Sequence, residues 1–186
     1  MADVRSWLKD AAAGFGSCLE GVADEQWSSP TPDAEWDVRA LVAHLVDEQL
    51  WAPPLLAGRT IEDIGDEIPS DPLGEDPVAA QRSATAAMVD ALEDLDLDAT
   101  VHLSFGDVPA QEYLMQLFAD HLIHTWDLAR ATGQPERLDP ELVAVCATWF
   151  VGREDLYRQS GAIGPAVTVE GGDAQSELLG RFGRHP

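Results

Sequence analysis

Two histidines and an aspartate carry the chemistry this sequence offers. They lie in YLMQLFADHLIHTWDLARATG, Tyr113 to Gly133, which reads as one long helix. At about 100° per residue, Tyr113, Leu114, Leu117, Leu128 and Ala131 share one face. His121 and His124 fall within that stripe, and Asp120 on its edge. An apolar face normally excludes groups that need hydrogen-bond partners. Either both imidazoles are satisfied inside a core, or they serve a metal ion. Asp120 and His124, at i and i+4, place their Cβ atoms about 6 Å apart on one face, which suits two ligands of a single divalent ion. His44, from a facing helix, is the candidate third ligand. Two histidines and a carboxylate with open positions match a catalytic rather than a closed structural site, and nickel or iron fits this set as zinc does. His121, about 100° round the helix from Asp120, is the alternative ligand or a pocket residue.

The sequence has no G-x-S-x-G, no G-x-x-x-x-G-K-[ST], no G-x-G-x-x-G and no H-E-x-x-H, so hydrolase, nucleotide-binding and zincin readings lose their motifs. Asp94, Asp96 and Asp98 imitate a calcium loop, but Ala99 and Phe105 stand where glycine and glutamate are required. No catalytic side chain is singled out. Arg39 and Arg130 lie near the histidines and are candidate contacts for a carboxylate substrate, although solvated helix residues need no such role. Asp127 reads as a structural cap or pair. Trp51 and Trp126 are candidate pocket walls or ordinary core.

There are 34 acidic and 11 basic residues, a net charge of −23. No basic stripe exists to neutralise phosphates, which argues against nucleic acid and against an anionic membrane surface. Cys18 and Cys146 lie in apolar-periodic segments with no C-x-x-C, so buried free thiols are expected. The start, MADVRSWLKD, has no apolar core of a signal peptide, and no run of 18 apolar residues occurs. A cytoplasmic location is expected. A homodimer is compatible with the sequence, which does not fix the oligomeric state.

The elements that must position these residues are mostly helical, in one expected domain, 1–186. A first helix runs from Val4 to about Ala23. A turn-rich connection, Trp27–Glu35, leads to Asp37, the N-cap of a second helix reaching Leu56 with a possible bend at Pro53–Pro54. Its stripe is Val38, Leu41, Val42, Leu45 and Gln49. His44 stands on the flank of that stripe, with Glu48 one turn later as its partner or an alternate ligand. A long acidic loop spans Gly58 to Asp76. A third helix runs from Pro77 to about Leu95, burying Ala80, Ala84, Ala87, Met88 and Leu92. Thr100 to Phe105 alternates and predicts a short strand or hairpin, with His102 exposed. The histidine helix follows from Pro109 or Ala110. A fifth helix is expected from Asp139–Pro140 to about Tyr157. The rest reads as a loop, with a β-prone patch at Ala166–Val169 and a terminal helix, Ala174–Phe182. Such helices describe an all-α bundle, a fold that places metal sites between facing helices.

WDVRALVAHLVDEQLWAPPLL together with DHLIHTWDLARATGQP resembles the actinobacterial branch of the DinB-like superfamily. Within it, the match is to the metal-binding domain of mycothiol-dependent maleylpyruvate isomerases and their uncharacterised relatives, whose ending the tail GPAVTVEGGDAQSELLGRFGRHP also resembles. The resemblance implies a DinB-like four-helix bundle, with a short β-hairpin or strand and additional C-terminal helices. It implies one divalent metal, zinc first, held by His44, Asp120 and His124. Mycothiol is the implied thiol cosubstrate, acting with an electrophilic substrate in thiol transfer or isomerisation. A non-catalytic metal- or small-ligand-binding bundle is the alternative. The isomerase pattern has Glu where this chain has the shorter Asp120, so ligation through a water is the alternative to a direct bond. The chain reads as lacking the additional C-terminal domain of those isomerases, which argues against maleylpyruvate as substrate.

Overall fold

The computed structural model describes residues 3–33 and 36–186. Its scaffold is helical, and one helix organises it. Helix α5, Ala110–Thr132, is buried on almost every side, with Phe118, Leu122, Trp126 and Leu128 all removed from solvent. A helix buried on most of its sides belongs at a bundle centre. Helices α1 (Val4–Leu19), α2 (Val38–Leu56) and, after a short helix α3 (Ile61–Ile64), α4 (Pro77–Ala91) complete the bundle. Helix α1 lies along α5, and α2 packs on both α4 and α5. This is the all-α, DinB-like fold.

The helix starts are where local chemistry places them. The side chains of Asp3, Asp37 and Asp76 each accept a hydrogen bond from a first-turn backbone N–H, satisfying donors the helix itself cannot. Helix α5 ends at Gly133, in the left-handed conformation (φ 69°) that closes a helix without Cβ strain. Strands β1 (Thr100–Leu103) and β2 (Gly106–Pro109) form an antiparallel hairpin in the register Thr100↔Pro109, Leu103↔Gly106. His102 lies on it, bonded across to Asp107 at 2.8 Å.

Several expectations are corrected. The first and third helices stop at Leu19 and Ala91, short of Ala23 and Leu95. On α4, Ala87 is exposed and Ala80 only half-buried, whereas Gln81 is buried. Helix α2, by contrast, reaches Leu56 as expected, with Pro53 and Pro54 inside it. The loop expected over Gly58–Asp76 contains α3, capped by Thr60. The connection expected over Trp27–Glu35 ends in residues 34 and 35, which lie outside the described residues. The single fifth helix is two: α6 (Pro140–Phe150) and α7 (Glu154–Ser160). They part at Gly152, whose φ of 77° a right-handed helix does not accommodate. The patch Ala166–Val169 forms no strand, although Val167 N–H donates to the Gly180 carbonyl at 2.8 Å.

Helix α8, Ala174–Arg181, packs on α6 and buries Leu178 and Leu179. Phe182 stacks on Phe150 with ring centroids 4.0 Å apart. Gly183 then turns the chain with φ 83°, and Arg184 N–H donates to the Leu179 carbonyl at 2.9 Å. That turn sends the Arg184 side chain back into the bundle. Among the described residues, no helix is long and apolar enough to cross a membrane.

Candidate metal centre

Helices α2 and α5 bring His44, Asp120 and His124 together. One ligand atom from each lies within 4.8 Å of the other two, a group that could hold a metal ion. Nε2 of His44 is 2.9 Å from Oδ2 of Asp120, and Nε2 of His124 is 3.3 Å from Oδ1. The carboxylate thus sits between two imidazoles and offers a different oxygen to each. Trp36, just before the α2 cap, covers both rings, its centroid 4.6 Å from that of His44 and 5.4 Å from that of His124.

The other face of the group is open. His44, Asp120 and His124 line a cavity of about 730 Å³, whose remaining wall includes Gln116, Trp149, Tyr157, Phe182 and Arg184. His124 is nearly buried, whereas His44 and Asp120 keep 28% and 32% of their side-chain surface exposed. The group therefore stands at a solvent-reaching wall and not in a sealed core.

A further carboxylate supports it. Nδ1–H of His124 donates to Oδ2 of the fully buried Asp127 at 2.9 Å. This holds the imidazole with Nε2 facing Asp120, the arrangement in which histidine ligands are usually fixed. Asp127 in turn accepts from Arg184, through Nε at 3.0 Å and Nη2 at 2.8 Å.

The electrostatics follow from this crowding. Burial pulls His124 down, but Asp120 and Asp127 outweigh it and raise the imidazole from 6.5 to about 9. Burial opposes a raised His44 in the same way, and Asp120 prevails. Burial would push Asp120 up, yet His124 and His44 hold it well below the usual carboxylate range. Without a metal the site is two imidazoles competing for one carboxylate.

His121, the alternative ligand, does not join the group. It is fully buried, its Nδ1 2.7 Å from the Leu117 carbonyl and its Nε2 2.8 Å from Nε2 of Gln49. Gln49 also donates to Thr85, which accepts from Gln81. Burial lowers the His121 pKa, so the ring is neutral: Nδ1–H donates to Leu117 and Nε2 accepts from Gln49. The 100° step that separates it from Asp120 turns it towards α2 and α4. Glu48 is also outside the group. Burial and Asp120 push its carboxyl up to about 7 against the opposing His44.

Neither proposed arginine contact lines the cavity. Arg39 is exposed, 3.7 Å from Asp71, and Arg130 pairs with Glu136 and lies over the Trp126 ring. Trp126 is core and Trp51 packs against it, so Trp36 and Trp149 wall the cavity instead. Trp36 had a sequence signal as the apolar residue preceding a helix cap. Arg184 had none. Both cysteines are free; burial pushes Cys18 up to about 11 and Cys146 to about 12. Cys18 is only half-buried, contrary to expectation.

The geometry stands on residues that a family comparison also covers. A family model described as the mycothiol maleylpyruvate isomerase N-terminal domain matches residues 8–129. The chain belongs to this family. The match to the mycothiol maleylpyruvate isomerase N-terminal domain includes His44, Asp120, His124 and Asp127, and stops well before Arg184. Among curated relatives, two uncharacterised proteins of Mycobacterium tuberculosis, from strains CDC 1551 / Oshkosh and H37Rv, are each 36% identical over 137 residues. That alignment covers 71% of this chain and 69% of each relative. No solved structure matches the chain significantly.

Proposed function

We propose that the chain is a metal-dependent enzyme that activates a low-molecular-weight thiol, with mycothiol the first candidate, for transfer to an electrophile or for isomerisation. One observation carries this reading: three donor atoms from two helices converge on the wall of a large cavity. A closed binding site would bring a fourth protein ligand. Among the described residues, the group has three.

The donors fit an ion. Two ligand atoms each about 2.1 Å from a tetrahedral zinc stand about 3.4 Å apart. The Asp120 oxygens lie 2.9 and 3.3 Å from the two imidazoles, and one donor atom from each of the three residues lies within 4.8 Å of the others, so small side-chain shifts would admit an ion. Asp120 is shorter than the glutamate of the isomerase pattern, and its two oxygens each face one imidazole. When bound, a divalent ion supplies Lewis acidity that brings a thiol pKa towards neutrality. His44, Asp120 and His124 would hold it. Asp127 keeps His124 in the ligating tautomer, and Trp36, Trp149 and Phe182 give the cavity an apolar wall beside the site. Mycothiol is drawn from the family description and the electrophile is of undetermined class.

The test is thiol consumption. Protein loaded with zinc, nickel or iron is incubated with mycothiol and a panel of small electrophiles, and free thiol is followed. The expected result is consumption that requires the metal and is lost in His44→Ala. Metal uptake without thiol consumption across the panel would instead favour a non-catalytic binding bundle.

A further inference from the structure

Arg184 lines the cavity, where a free guanidinium would meet an anionic ligand. It is not free. Its Nε and Nη2 donate to the two oxygens of Asp127, Nη2 also donates to Asp33 at 3.0 Å, and Nη1 donates to the Phe182 carbonyl at 3.3 Å. The bonds to Asp127 and Asp33 lead back to the histidines. Asp127 accepts from His124 Nδ1–H. The Asp33 carbonyl accepts from Trp36 N–H at 3.0 Å, and the Trp36 ring covers His44 and His124.

We propose that Arg184 is a positioning residue of the metal site, acting through Asp127 on His124 and through Asp33 on Trp36. Docking of the C-terminal segment and metal binding are therefore coupled. A carboxylate on a single bond can rotate, and only a fixed carboxylate plane fixes the ring that donates to it. A planar guanidinium bonding both oxygens supplies that constraint, which a lysine ammonium cannot. Coupling of this kind is reciprocal: if Arg184 strengthens metal binding, metal binding must strengthen the docking of Arg184.

This inference rests on the reading of His44, Asp120 and His124 as metal ligands. The experiment measures zinc affinity by competition with a chelating dye for wild type, Arg184→Gln, Arg184→Lys, Asp33→Asn and Arg181→Gln. The last is the control. Arg181 ties α8 to Glu154, so its loss loosens the same segment without touching Asp127. All are measured where near-UV circular dichroism shows folded protein. Two further readouts are the 15N and Nδ1–H signals of His124, and amide exchange around Gly183 and Arg184 with and without zinc.

Arg184→Gln and Arg184→Lys are expected to weaken zinc binding about tenfold or more, and to broaden or shift the His124 Nδ1–H signal. Asp33→Asn should lose less, and Arg181→Gln should bind as wild type. Zinc should slow amide exchange at Gly183 and Arg184 in wild type but not in Arg184→Gln. Arg184 variants binding within about twofold of wild type, with an unchanged His124 signal, would overturn the proposal alone. Arg181→Gln losing as much as Arg184→Gln would also overturn it, since that makes the effect one of segment stability. Wild type failing to bind zinc would overturn the ligand reading and this proposal together.

Discussion

Nε2 of His44 on α2 lies 2.9 Å from Oδ2 of Asp120 on α5, 76 residues further along the chain. The other oxygen of Asp120 faces His124, so one carboxylate gathers two imidazoles from two helices. Everything proposed for this protein depends on that junction. The bundle brings it about by pressing α2 against α5, with Trp36 over the rings.

The junction makes pH dependence opposite in the metal-free and metal-bound protein. His124 is raised from 6.5 to about 9. A raised histidine stabilises the fold fully below the unfolded value, and that stabilisation is lost as pH rises through the folded one. Metal-free protein should therefore lose melting temperature between about pH 6.5 and pH 9. Zinc requires both imidazoles unprotonated at Nε2, so binding releases protons and its affinity should rise across the same window. Thermal melts across that window with and without zinc, and calorimetry in buffers of different ionisation enthalpy, check both. At the acid end, the depressed Asp120 and Asp127 lose their contribution as pH falls through their folded values.

His121 should matter for stability and not for metal. Gln49→Leu leaves the buried Nε2 of His121 without a donor, at a cost of about 1–3 kcal/mol. Chemical denaturation should register that loss, while the folded variant binds metal at one equivalent as wild type does. Loss of metal with full stability would assign His121 a ligand role after all.

How far the sequence carries depends on the range of each interaction. The main bundle helices, the Asp37 cap and the Asp120–His124 pair are local patterns, and all three are legible in spacing. His44 is legible once the bundle brings the two helices face to face. The break at Gly152 was hidden because the apolar spacing continues across it. Ala87 shows that an alanine in a periodic stripe need not face the core. For His121, the useful signal was Gln49 on the apolar stripe of α2, a polar residue that needed a partner. Arg184 stands 57 residues from Asp127 and 151 from Asp33, and no local spacing announces a contact of that range.

The close approach at Gly180 is another such contact. A Cβ added there would meet the Val167 carbonyl oxygen at 2.5 Å and Val169 at 2.9 Å. Gly180→Ala must push the 165–169 segment off α8, at a cost of about 1–3 kcal/mol. Limited proteolysis should then cut the C-terminal segment faster in the variant. Equal cleavage rates and an equal melting temperature would show that the segment accommodates the methyl group.

The most direct test is the metal content of purified protein by elemental analysis, comparing wild type with His44→Ala and His124→Ala after equilibration with zinc and removal of excess. The account predicts about one equivalent of zinc in wild type, since the three donors form one site, and a large loss in each variant while both remain helical by circular dichroism. Metal content unchanged in both variants would contradict the account, because His44 and His124 would then not hold the ion.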